Sequence, residues 1–212
     1  MGAVGPDVKI QKASARNQTY ANTQVINGAN TANVEKTAMD GLTAKWGHLS
    51  AEERIALRKA KVESNAQMRL ERMERELNNA NPELRAHFND KHGADIPLQP
   101  NIERRAVDGT HPRDPNIKAM RAQASSKFND ARTQLEIMND AMTRELRGLP
   151  KYDGFDGKGN PFVVGRESSG VGFGFYPNKL SPLVPLFSPK LEGWVVRFDK
   201  DLHLPYTAYP TK

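Results

Sequence analysis

The 212-residue chain predicts an α+β fold. N-terminal helices are followed by a small twisted antiparallel sheet, behind a flexible or loosely helical N-terminal extension. Three observations lead there. One long stretch after Ser50 repeats apolar residues at helical spacing. Of the 15 aromatic residues, 11 lie in residues 151–212, in short runs punctuated by Gly and Pro. Residues 1–49 hold little that a core needs, in keeping with a mean hydropathy of −0.70. Helices first and strands afterwards, without alternation, is the element order of an α+β domain.

Taken in order, residues 1–49 are rich in Asn, Thr, Ala and Gly, with Tyr20 and Trp46 as their aromatics. They read as a linker or docking segment. Residues 50–78 read as a connecting amphipathic helix. Ser50-Ala51-Glu52-Glu53 has the form of a capping box, the Ser hydroxyl reaching the N3 amide and Glu53 reaching back. Ile55, Val62, Ala66, Leu70, Met73 and Leu77 then form one stripe. Seven basic and six acidic residues cover the rest of this helix, a near balance that argues against a DNA-gripping helix. Asn78, Asn79 and Asn81-Pro82 end it.

Residues 79–212 read as the working domain. Pro82-Glu83-Leu84 resembles a helix start with Pro at N1. A further helix is expected from about Asn116, broken near the Ser pair and resumed from Asn129 to Leu146, with Leu135, Met138, Met142 and Leu146 on one face. Past Pro150, strands are expected at 162–164, 171–176, 194–198 and 206–209.

Composition excludes several classes. With no Cys there is no disulfide scaffold, thiolate nucleophile or Cys-ligated zinc. No run approaches the roughly 20 apolar residues of a membrane helix, so no integral membrane segment is expected. The start, MGAVGPDVKI, lacks the apolar core of a secretory signal. A net charge of +6 suits a phosphate or nucleic-acid partner. No P-loop, GxGxxG, HExxH or metal-spaced cluster is present, so neither a cofactor nor a metal is expected.

Three features could carry chemistry. His87 and His92 sit five residues apart in His-Phe-Asn-Asp-Lys-His-Gly, a spacing that does not place both cleanly on one helix face. Ser125-Ser126-Lys127-Phe128 lies just before an expected helix, whose N-terminal amides attract anions; equally, Ser126 or Asn129 could simply cap that helix. In Thr207-Ala208-Tyr209, two-residue alternation puts the Thr hydroxyl and the Tyr phenol on one strand face, and Pro210 closes the strand as an edge or end residue.

In this order (His-x4-His-Gly, Arg, Ser-Ser-x-Phe with a following Gln-Leu-x-x-Met-x-x-Ala helix, and Thr-Ala-Tyr-Pro) the second half of the chain resembles the C-terminal ribonuclease toxin domains of bacterial polymorphic toxins. These are of the Rhs and contact-dependent-inhibition type, in the RNase-A-like branch of the barnase/EndoU/colicin/RelE-like group. Carried over by position, the catalytic His falls on His87 or His92, with His87 preferred. The Arg falls on Arg104 or Arg105, with Arg104 taken as catalytic and Arg105 as substrate-binding. The terminal pair is Thr207 and Tyr209, while His92, Ser125, Ser126 and Lys127 would hold substrate. An alternative register pairs His111 with Arg121.

The resemblance implies a metal-independent endoribonuclease. RNA supplies its own 2′-OH nucleophile, a His near its ordinary pKa of about 6.5 can serve as base, and Arg can stabilise the phosphorane charge. It further implies export by a dedicated secretion system or carrier, action in the cytoplasm of a rival bacterium, and a cognate, acidic immunity protein. Two other readings remain open from the residues. One is an NAD-consuming toxin (an ADP-ribosyltransferase or glycohydrolase) built around Arg166-Glu167-Ser168-Ser169. The other is a non-enzymatic phage or secretion structural protein.

Overall fold

The computed structural model describes residues 49–117, 124–176, 178, 180–181 and 183–212. The extension expected over 1–49 therefore lies, but for Leu49, outside the described residues, as do Arg121 and most of the stretch where a helix is expected from Asn116. The chain divides into two units, Met1–Leu57 and Arg58–Lys212. In the described part of the first, the capping box at the start of helix α1 (Ala51–Ala80) forms in both directions. The Ser50 amide donates to Glu53 Oε2 at 2.7 Å, and the Glu53 amide donates to Ser50 Oγ at 3.2 Å.

The second unit holds the architecture, helices plus antiparallel sheets. From Arg58 onward α1 belongs to it, and Ala66 and Leu70 are buried in the same core as Phe88, Phe128 and Met138. The structure thus starts this unit earlier than the composition change at residue 79. Where Pro82 predicts a helix start, residues 82–84 form a turn. The Asn78 side chain pins the backbone beyond that turn, accepting from the Ala86 amide and donating to its carbonyl. Helix α2 (Phe88–His92) and α3 (Glu103–Asp108) come next, α3 closing on Gly109 in the left-handed region at φ 79°.

Ser125–Phe128 is strand β1, not the run-in to a helix. Helix α4 (Ala131–Met142) is capped instead by Asp130, whose carboxylate accepts from the Thr133 amide at 2.7 Å. Its first amides, Ala131 and Arg132, donate to Glu63 of α1. The anion site expected at this helix start is therefore filled by an internal carboxylate. The buried face of α4 is Ala131, Gln134, Ile137, Met138 and Ala141. Met142 and Leu146 are exposed, because the helix stops at Met142 and a 3-10 turn comes after it.

Six further strands complete the unit: β2 (Gly154–Phe155), β3 (Pro161–Arg166), β4 (Gly172–Tyr176), β5 (Leu186–Leu191), β6 (Gly193–Phe198) and β7 (Pro205–Thr211). They form two antiparallel sheets with β1, in the orders β1-β4-β5 and β2-β3-β6-β7. Glu192 alone separates β5 from β6, so the chain steps from one sheet to the other there. The sheets meet again between β1 and β7, where Ser126 Oγ donates to the Pro210 carbonyl at 2.8 Å. Gly172 makes that seam possible. A Cβ there would stand 2.3 Å from the Lys127 carbonyl oxygen and 2.4 Å from Pro210 Cγ, so no other residue fits. Among the described residues, no helix is long and apolar enough to cross a membrane.

Candidate functional site

A cleft of about 440 Å³ opens over the seam. Its walls come from the segment entering α2, from α2 and α3, from β1, and from β6 and β7. His87 and His92 both line it, with Arg105, Ser126, Arg197, Thr207 and Tyr209, and Tyr206, Tyr176 and Thr211 complete the rim.

Both imidazoles enter because they do not share a helix. His87 precedes α2 with a non-helical backbone (φ −152°, ψ 28°), while His92 is the last residue of α2. Helix spacing therefore does not govern the pair. Each ring is fixed in the same way. His87 Nδ1 lies 2.7 Å from the Arg85 carbonyl oxygen, and His92 Nδ1 lies 2.7 Å from that of Ser126. A carbonyl only accepts, so each Nδ1 carries the proton and each Nε2 is left as a lone-pair acceptor. Arg85 adopts a left-handed backbone at φ 49° to aim its carbonyl, a conformation that costs a non-glycine residue about 1–2 kcal/mol. The His87 amide donates to the Tyr206 carbonyl at 2.8 Å, tying the ring's backbone to β7.

Burial pushes the His87 imidazole down to about 4, with the Lys91 ammonium adding to the effect. Burial likewise holds His92 well below its ordinary 6.5, and the Arg105 guanidinium lowers it further. Both rings are neutral at pH 7. They are bases rather than acids.

Facing them on β7 are the two hydroxyls that strand alternation brings together. Thr207 is 5% exposed, and its Oγ1 has no hydrogen-bond partner. Tyr209 Oη accepts from Arg197 Nε at 3.1 Å, and Arg197 Nη1 meets Asp156 Oδ2 at 2.9 Å. Asp156 is itself held by the Lys158 and Asn160 amides of the β2–β3 turn, at 2.8 and 2.9 Å, which keep its carboxyl below the usual range. A chain of contacts therefore runs from the turn through Asp156 and Arg197 to the phenol. With its oxygen already accepting, the Tyr209 O–H is free to donate.

The other expected site residues fall elsewhere. Arg104 is not on the cleft wall, since successive residues of α3 lie about 100° apart and Arg105 takes that side; Arg104 Nε is buried without a partner. Ser125 is buried within the sheet opposite Phe175, away from the cleft. Lys127 donates its ammonium to the Ala94 and Ile96 carbonyls. Ser126 reaches the cleft, but its hydroxyl is spent on Pro210. His111 Nε2 sits 2.9 Å from Asp90 Oδ2, and His111 does not line the cleft. Arg166 is paired with Glu192, and Glu167 and Ser169 line a separate groove beside α4.

Sequence reasoning missed Arg197, Asp156, Tyr206 and Tyr176. Arg197 did leave a signal: it is the lone charge in Trp194-Val-Val-Arg-Phe198, and β6 is an interior strand of its sheet. A cation there asks for a function or a partner. Asp156 hides in the turn Asp156-Gly-Lys-Gly-Asn160, where an Asp is expected for turn reasons alone. Comparison with protein-family models, with curated proteins and with solved structures finds no match for this chain.

Proposed function

We propose that the chain is a metal-independent endoribonuclease that cleaves RNA by transesterification in this cleft. The observation that carries the reading is the pair of neutral imidazoles, each with Nδ1–H tied to a backbone carbonyl, facing an Arg-supported phenol and an unpartnered hydroxyl. His87, the more accessible ring, takes the 2′-O–H proton on Nε2. The 2′ oxygen forms its bond to phosphorus as the bond to the 5′ oxygen breaks, and Tyr209 gives its proton to that leaving oxygen. Arg197 stabilises the phenolate left behind, and Arg105 and Thr207 hold the non-bridging oxygens. His92 accepts from a sugar hydroxyl. The products are a 2′,3′-cyclic phosphate and a free 5′-OH; water then returns a proton from His87 to Tyr209.

The wider role rests on the resemblance of the motifs. The chain acts as an antibacterial effector in the cytoplasm of a target cell, delivered by a secretion system or carrier and neutralised in its producer by an acidic immunity protein. A cleft lined by Arg105 and Arg197 supports the acidic character of that partner.

The test is RNA run on a gel with purified protein in excess EDTA. Cleavage with cyclic phosphate ends, and none of the all-deoxy strand, is the expected result. Intact RNA, or cleavage that needs Mg²⁺, overturns the mechanism.

A further inference from the structure

Resting on the ribonuclease reading, we propose that Tyr176 and Lys212 form a nucleobase subsite beside the reacting centre, and that the cleft therefore takes single-stranded RNA. The cleft does not end at Tyr209. Following β7 from Thr207 to Thr211 at about 3.3 Å per residue leads roughly 13 Å along the wall. Besides the imidazoles and guanidiniums, the cleft is lined by Tyr176, at the end of β4, and by Ala124 and Thr211. The transesterification chemistry makes no use of this ring.

Tyr176 is half-buried, and one face is covered by the Lys212 ammonium, 4.1 Å from the ring centroid. Lys212 is exposed and makes no ion pair among the described residues. The ring is thus an aromatic platform with one flexible side chain over its face, its hydroxyl held by the Lys212 backbone. An ammonium over a ring at an exposed site is a weak hold, and a nucleobase stacked on an aromatic ring is a stronger one. The base therefore displaces the ammonium, which then lies beside the flanking phosphate and neutralises it. A base can reach the platform only when it is unpaired and turned out of a helix, which selects single strands and loops over duplex. The roughly 13 Å from Thr207 to Thr211 is about two nucleotide steps of a single strand, so the subsite grips substrate without touching the reacting atoms.

The experiment uses the full chain and a fluorescent 2′-O-methyl RNA strand, which cannot be cut because its nucleophile is blocked. Tyr176→Ala should weaken binding of this probe about tenfold, within the range of one base stack. Tyr176→Phe should bind like the parent chain, because the ring and not the hydroxyl is the platform. On cleavable single-stranded RNA, Tyr176→Ala should raise KM about tenfold and leave kcat within about twofold. Lys212→Gln should flatten the salt dependence by about 0.7 in log–log slope, the share of one single-strand phosphate. Duplex 2′-O-methyl RNA should compete poorly. Equal affinity for the parent chain and Tyr176→Ala, or equal loss in Tyr176→Phe, overturns the subsite. Binding by the parent chain with no cleavage of ordinary RNA leaves the subsite standing and removes the ribonuclease; cleavage with an unmoved KM in Tyr176→Ala does the reverse. A parent chain that neither binds nor cuts RNA removes both.

Discussion

Thr207→Val separates a working hydroxyl from a structural one by the sign of its effect. Thr207 is 5% exposed, and its Oγ1 is buried without a partner. Leaving a buried hydroxyl unsatisfied costs about 1–3 kcal/mol. Val has nearly the same shape and carries no such group. The substitution should therefore raise folding stability by about 1 kcal/mol, which for a unit of this size is a melting-temperature gain of roughly 2–4 °C. The same change removes a hydroxyl from the cleft wall, and under the proposed mechanism activity should fall about 100-fold or more. Gain in stability with loss of function is what a site residue held in the active geometry at a cost produces. The assays are thermal and urea unfolding at pH 7, run beside initial rates on single-stranded RNA. A Thr207→Val chain that melts lower would mean the hydroxyl has a partner in solution. One that melts higher and cuts at the parent rate would remove Thr207 from the mechanism.

With the His87 imidazole near 4, kcat/KM should stay level from neutral pH down to about 5 and fall only below it; an acid limb centred at 6.5 would mean that His87 is not the base. Glu74 accepts the Asn89 and Asp90 amides, and burial raises its carboxyl from 4.5 to about 7. The folded chain then holds the extra proton between those values, so stability from this group falls as pH rises from 4.5 to 7 and is flat above. Glu74→Gln keeps the acceptor and removes the titration, and its melting temperature relative to the parent should climb across that window by the equivalent of about 1–3 kcal/mol. A chain cut to residues 50–212 should fold and cleave like the whole protein. One cut to 79–212 loses Leu70, which is fully buried, and the Glu63 contact on α4, and should lose at least the 2–5 kcal/mol of a core leucine truncation, read by urea unfolding. Equal unfolding curves for the two fragments would show that α1 contributes nothing to the core.

The features legible in the residues are those encoded locally. The capping box at Ser50 is complete within four positions, and it forms as expected. Thr207 and Tyr209 share the cleft because two-residue alternation needs only the strand itself. Where the fold depends on distant partners, the local pattern misleads. Ser125–Phe128 is too short to display alternation, and it becomes a strand only by pairing with Gly172–Tyr176, more than forty residues on. Leu186–Leu191 contains Pro189, which argues against a strand, yet β5 is the edge of its sheet and an edge tolerates the missing donor. The cleft obeys the same rule. Arg197 reaches it because β6 and β7 pair with Arg197 opposite Thr207, and because a carboxylate 41 residues away at Asp156 holds the guanidinium. His87 reaches it because its amide closes on the Tyr206 carbonyl across the unit. Motif order could therefore nominate the histidines and the two hydroxyls. The cation that meets the phenol depends on strand register, and register is a property of the folded sheet rather than of any one segment.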